Sequence, residues 1–131
     1  MTDKPEREIY GILFVDDEEN VLRSLRRLFI DDDNIEVFTA LSGKDGLEIL
    51  KNNDIAVIVS DQRMPEMSGA QFLEKAKRLQ PDSVRIVLTG YADVNAAMDA
   101  INKGGAFKYI TKPWDDNDLM LSVLNSIETY R

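Results

Sequence analysis

Five short apolar runs divide the chain: "YGILFV" (10–15), "IEVFTA" (35–40), "IAVIVS" (55–60), "VRIVLT" (84–89) and "AFKYI" (106–110). Most are rich in Val and Ile and short enough to be strands; the third and fourth are apolar almost throughout, as strands covered on both faces are. The segments between them repeat at the helical period. In the first, Leu22, Leu25, Leu28 and Phe29 share a face, with Arg23, Arg26 and Arg27 opposite. Ser42 predicts the cap of a second helix carrying Leu47 and Leu50, and Ser68 that of a third carrying Phe72, Leu73, Ala76 and Leu79. Asp93 predicts the cap of a fourth with Ala97, Met98 and Ile101, and Asp115 that of a fifth with Leu119, Val123, Leu124 and Ile127. The leucines and Met98 at this spacing are assigned to the core. Gly104 and Gly105 predict a left-handed end to the fourth helix.

Strand and helix alternate five times, which predicts a mostly parallel sheet with right-handed crossovers and helices on both faces, a doubly wound α/β domain. Ligands of such folds bind beyond the carboxyl ends of the strands, near the point where strand order reverses. The first strand runs into Asp16 and Asp17, the third into Asp61, the fourth into Thr89, and the fifth leads to Lys112 and Pro113. Residues far apart in the chain are therefore expected on one edge.

Composition narrows what that edge can do. The 131 residues suit a single domain (1–131), with 44% hydrophobic and 31% charged residues placing it among folded chains. No apolar run approaches the roughly 20 residues of a membrane span, and "MTDKPERE" lacks a signal-peptide core, so a cytoplasmic protein without membrane association is expected. With neither cysteine nor histidine, disulfides, thiolate nucleophiles, imidazole bases and Cys/His metal sites are excluded. The net charge of -8 argues against direct binding of nucleic acid and favours hard cations.

In "ILFVDDEEN" (12–20) four acids follow four apolar residues, an arrangement that repels itself unless a cation arrives. Asp16, Asp17 and Asp61 form a hard-oxygen set suited to Mg²⁺. Thr89 and Lys112 then supply a hydroxyl and a cation around an anion, as expected for a phosphoryl group, and the Asp61 carboxylate can accept that group as an acyl phosphate. Glu18 and Glu19 are read as partners of a helix dipole. The run Asp31, Asp32, Asp33, Asn34 lacks the ligand spacing of an EF-hand and is read as a solvated turn.

The strings "FVDDEENV", "VSDQRMPEMSG", "VLTGYAD" and "KYITKPW", in order and each at a strand end, closely resemble the receiver domains of two-component response regulators, CheY-like, over about residues 10–128 (core about 9–128). The resemblance implies a flavodoxin-like (βα)5 three-layer sandwich with strand order 2-1-3-4-5. It also implies Asp61 as phosphoacceptor, and Mg²⁺ held by Asp16, Asp17, Asp61 and the backbone carbonyl of Arg63. Thr89 and Lys112 become phosphate ligands, and Thr89 with Tyr109 the switch. A cis bond between Lys112 and Pro113 is expected as well. The implied donor is a histidine kinase or a histidine phosphotransfer protein. The implied output is a domain in cis or a separate partner, with a phosphorylation-dependent homodimer as a further expectation, and the only reactions catalysed are the domain's own phosphorylation and dephosphorylation. The shorter strings "SDQRMP", "TGYAD" and "KPWDD" resemble the subgroup attached to HD-GYP phosphodiesterases or to hydrogenase-type regulators.

The competing class is a Mg²⁺-dependent phosphohydrolase working through an aspartyl phosphate. Those of the haloacid dehalogenase type usually carry D-x-D, whereas position 63 is Arg, and a chain this short has no room for a cap domain. Two further expectations concern signalling: the fourth helix, fifth strand and fifth helix form the output face, and Arg63 with Tyr91 opposes hydrolysis, Tyr91 by shielding the phosphorus.

Overall fold

The computed structural model describes residues 8–103 and 105–131. Five strands and five helices alternate: β1 (Tyr10–Val15), α1 (Glu19–Leu28), β2 (Ile35–Ala40), α2 (Gly43–Asn52), β3 (Val57–Asp61), α3 (Gly69–Leu79), β4 (Val84–Thr89), α4 (Val94–Asn102), β5 (Lys108–Thr111) and α5 (Asp116–Tyr130). A 3₁₀ turn, Tyr91–Asp93, leads into α4. The strands form one parallel sheet in the order β2-β1-β3-β4-β5. Order reverses between β1 and β3; β3 ends in Asp61, and β1 runs directly into Asp16 and Asp17.

Alternation along the strands sorts the core into two layers. Leu13, Val15, Ile58 and Val87 face α2, α3 and α4, meeting Leu50, Phe72, Leu73, Ala76, Ala97 and Ala100. Ile12, Phe14, Val57, Val59, Ile86 and Leu88 face α1 and α5, meeting Leu22, Leu25, Phe29, Leu119, Val123 and Ile127. The result is a three-layer sandwich. Three strands start and stop as the apolar runs predict; β3 and β5 begin two residues later, at the first residues that pair with β4, Val57 and Lys108, while Ile55, Ala56 and Ala106 ahead of them are already buried.

Three apolar assignments fail. Met98 is 47% exposed, Leu79 43% and Leu124 37%, because α4 turns Ala97 and Ala100 inward, α3 turns Phe72, Leu73 and Ala76, and α5 turns Leu119, Val123 and Ile127, so each misassigned residue falls on an outer side. Three predicted caps form: Ser42 accepts from the Asp45 N–H, Ser68 from the Gln71 N–H within a full capping box, and Asp115 from the Asp118 N–H. Asp93 makes no side-chain cap. Gly105 is not left-handed; a Cβ there would lie 3.0 Å from the Glu74 N, so the residue is small because it passes against the backbone of α3. Gly104 lies outside the described residues.

Gln80 ends α3 and ties it to its neighbours. Its Oε1 accepts from the Ile55 N–H at 2.8 Å, and its Nε2 donates to the carbonyls of Leu50 at 2.7 Å and Asn53 at 2.6 Å. Truncation leaves one buried N–H and two carbonyls without that partner, so Gln80→Ala is expected to lower stability by about 2–3 kcal/mol in urea unfolding, at unchanged m-value. A loss under about 0.5 kcal/mol would mean that water replaces the amide.

Candidate functional site

The carboxyl ends of β1, β3, β4 and β5 meet at one edge. Past the end of β1, the Asp16 N–H continues the ladder to the Ala40 carbonyl at 3.1 Å, which turns the side chain inward, fully buried. Its Oδ1 accepts from the Glu18 N–H at 2.9 Å and its Oδ2 lies 3.2 Å from the Lys112 Nζ. Asp61, the last residue of β3, is 7% exposed and holds the Lys112 Nζ at 2.9 Å through Oδ1. Asp17 is exposed beside them, and one oxygen from each of Asp16, Asp17 and Asp61 falls within 4.8 Å of the others.

Lys112 reaches the acids because its chain is anchored behind it. Its N–H donates to the Thr89 carbonyl at 2.7 Å, extending the pairing of β4 with β5, and the bond to Pro113 is cis as expected. Thr89 is buried at the end of β4 with its hydroxyl donating to the Gly90 carbonyl at 3.2 Å. An open cleft of about 590 Å³ lies over this edge, with Asp17, Asp61, Lys112, Arg63, Gly90 and Asp93 among its lining residues.

Burial is the largest influence on Asp61 and pushes its carboxyl above the usual carboxylate range; Asp16 and Asp17 add to the rise, and together they outweigh Lys112. Burial pulls the Lys112 ammonium down, but Asp61 and Asp16 more than compensate and leave it raised. Three carboxylates against one ammonium leave two negative charges, the charge of one divalent cation. The donors are all hard oxygens, so the set fits Mg²⁺.

The remaining expected residues lie further out. Arg63 lines the cleft from the β3–α3 connection, but its guanidinium is directed to Asp93, Nη2 to Oδ1 at 2.6 Å. Tyr91, expected to shield the site, is 80% exposed and is not part of the lining; Asp93 occupies the rim instead. Tyr109 sits on β5 opposite Val87, is 37% exposed, and is likewise not part of the cleft lining. Asp93 is the residue that sequence reasoning missed. Its signal was present: an Arg and an Asp of opposite charge, each following the end of an adjacent strand.

This architecture and edge are those of a receiver domain, and the comparisons with known proteins agree. Residues 12–124 match the family model for the response regulator receiver domain, so the chain belongs to that family. It is 36% identical over 120 residues to the hydrogenase transcriptional regulatory protein HoxA of Bradyrhizobium diazoefficiens, covering 92% of this chain and 24% of that protein. Among solved structures, a response regulator receiver domain protein from Clostridium thermocellum superposes with a TM-score of 0.82 at 36% identity, covering 92% of this chain and 95% of that one. The signal receiver domain of an HD domain-containing protein from Pseudomonas fluorescens Pf-5 gives 0.86 at 29% identity, covering 97% and 92%. The chain thus spans about a quarter of the length of its curated relative HoxA. It is a receiver domain of two-component signal transduction with a flavodoxin-like fold, and its acidic cluster is consistent with a phosphoacceptor site. Among the described residues no helix is long and apolar enough to cross a membrane.

Proposed function

We propose that Asp61 accepts a phosphoryl group from the phosphohistidine of a histidine kinase or phosphotransfer protein, and that the acyl phosphate alters the face seen by an output domain or partner. One observation carries the assignment to Asp61. Among the three clustered aspartates it alone both lines the open cleft and holds Lys112, whereas Asp16 is sealed with both oxygens engaged and Asp17 stands at the surface.

In the transfer, an Asp61 oxygen attacks phosphorus in line with the leaving group. A new O–P bond forms as the bond from phosphorus to the donor breaks, and the donor departs with that electron pair. Asp16, Asp17 and Asp61, with the Arg63 carbonyl, would hold Mg²⁺, which when bound offsets the excess negative charge. Lys112 pairs with the added phosphoryl oxygens, and the Thr89 hydroxyl gives up the Gly90 carbonyl to donate to them. The Thr89 movement, followed by Tyr109, is the proposed switch.

Met98, Tyr109, Leu121 and Leu124 give α4, β5 and α5 exposed apolar surface, which supports that face as the site of output or of a phosphorylation-dependent homodimer. We take residues 1–131 as one receiver domain with its core at about 9–128. Its likeness to HoxA and to the receiver of an HD domain-containing protein favours an output domain of one of those two kinds.

Incubation with phosphoramidate and Mg²⁺ is expected to add a single phosphoryl group by intact mass, and chelation of the metal to prevent it. No gain under any Mg²⁺ concentration, or an equal gain in chelator, would overturn the reading.

A further inference from the structure

Resting on that reading, we propose that Arg63 is a second cation for the phosphoryl group on Asp61, withheld in the unphosphorylated state by Asp93. Arg63 follows the acceptor by two residues and lines the same cleft, yet its guanidinium is drawn to the far rim, 2.6 Å from Asp93. Asp93 stands at the start of α4 and is the one predicted cap that forms no capping bond; Ser42, Ser68 and Asp115 all do. The carboxylate faces the guanidinium instead of the helix N–H groups.

The pair bridges the β3–α3 and β4–α4 connections, so whatever draws Arg63 away also frees the carboxylate that begins α4. Phosphorylation supplies such a pull. An ionised carboxylate carries one negative charge, whereas the acyl phosphate carries about 1.5 to 2 and offers three oxygens to a forked guanidinium. Arg63 accordingly exchanges Asp93 for the phosphoryl oxygens, and the released carboxylate lies beside the uncapped helix start, where a negative charge is favourable. Asp93 is thus a positioning residue: it acts on the site through Arg63.

The plain alternative is an exposed ion pair of small worth, with Asp93 mattering only as one more negative charge on the rim. The two differ in how the substitutions combine. The Arg63 side chain is exposed and that of Asp93 is 24% exposed, and neither belongs to the apolar core. Rates of phosphoryl uptake from acetyl phosphate, at fixed Mg²⁺ and low ionic strength, are compared for the wild type, Arg63→Met, Asp93→Asn and the double variant. Asp93→Asn frees the guanidinium and is expected to speed uptake up to about fivefold, the size of an exposed charge pair. Arg63→Met slows it by a similar factor, Arg63→Lys less, and in the Arg63→Met background Asp93→Asn has no further effect.

If Asp93→Asn speeds uptake equally in both backgrounds, Asp93 acts as a bare charge and the inference fails. It fails too if Asp93→Asn leaves the wild-type rate unchanged. Both of those results leave Asp61 phosphorylation standing. A wild type that takes up no phosphoryl group removes the proposed function and this inference together.

Discussion

Asp61→Asn protein, given phosphoramidate and Mg²⁺ under conditions that phosphorylate the wild type, is expected to gain no mass. Asn preserves the shape of the side chain and can still accept from Lys112, so the edge keeps its geometry. What is lost is the carboxylate oxygen proposed to form the bond to phosphorus. The neighbouring acids cannot take over in place: Asp16 is fully buried with one oxygen bonded to the Glu18 N–H and the other to Lys112, and Asp17 is exposed at the rim. Stable phosphorylation of the variant would show that the acceptor is misassigned.

The same substitution should raise stability when no divalent cation is present. The folded-state pKa of Asp61 lies above its ordinary value, chiefly from burial and then from Asp16 and Asp17. Its contribution to folding is therefore most favourable below the ordinary carboxylate pKa and is lost as pH rises through the raised value, so at neutral pH the ionised group opposes folding. Removing the charge relieves that cost. In chelator at neutral pH Asp61→Asn melts above the wild type, at about 4 °C per kcal/mol for a chain of this size, and the gap closes as pH falls below the ordinary carboxylate range. A variant that melts below the wild type at neutral pH would mean that the bond to Lys112 outweighs burial and repulsion.

Gly69→Ala is expected to be among the most damaging single-methyl changes in the domain. Gly69 opens α3 against the backbone of Asp61, and a Cβ there would collide with the Asp61 carbonyl oxygen, lying also 2.9 Å from the Gln62 Cα and 3.0 Å from the Asp61 carbonyl carbon. All three are backbone atoms, so no rotamer change relieves the contact. The Gly69 N–H donates to the Gln62 carbonyl at 2.9 Å and the Ala70 N–H to the Gln62 Oε1 at 3.0 Å, and both bonds stretch if the helix start moves away. We expect a loss of about 2–4 kcal/mol. Phosphoryl uptake should fall at least tenfold, on the order expected when a nucleophile is misplaced by a fraction of an ångström.

Gly43→Ala is the matched comparison. Its Cβ meets the Met67 Sδ at 2.7 Å, in a flexible side chain that can swing aside, and Ala is the better helix former. Urea unfolding should show a change under about 1 kcal/mol there. Equal stability in the two variants would mean that the α3 start is free to shift without cost.

Much of the molecule follows from near neighbours in the chain. Val- and Ile-rich runs bounded by polar residues mark β1, β2 and β4 to the residue, and Ser42, Ser68 and Asp115 cap the helices they precede, because a cap bonds to N–H groups three positions on. The order of the acids, Thr89 and Lys112 along the strand ends was legible for a similar reason. In a parallel α/β sheet every strand presents its carboxyl end to the same edge. The family motifs made the strand order and the cis bond at Pro113 legible too.

What stood outside that reach depends on contacts between segments distant in sequence. Met98 and Leu79 have helical spacing compatible with burial, but the packing of α4 and α3 on the sheet chose Ala97, Ala100, Phe72 and Ala76 instead. Asp93 has the composition of a cap, and only the closeness of the β3–α3 and β4–α4 connections shows that Arg63 takes its carboxylate. The identity of Gly69 has no local reason, since the atom that forbids a side chain there belongs to Asp61, eight positions earlier. The local pattern determined which elements form and which residues reach the edge. Which charge pairs with which was left to tertiary structure, because an ion pair or a steric contact is set by distance in space and falls off within a few ångströms, whereas pattern registers only what recurs along the chain.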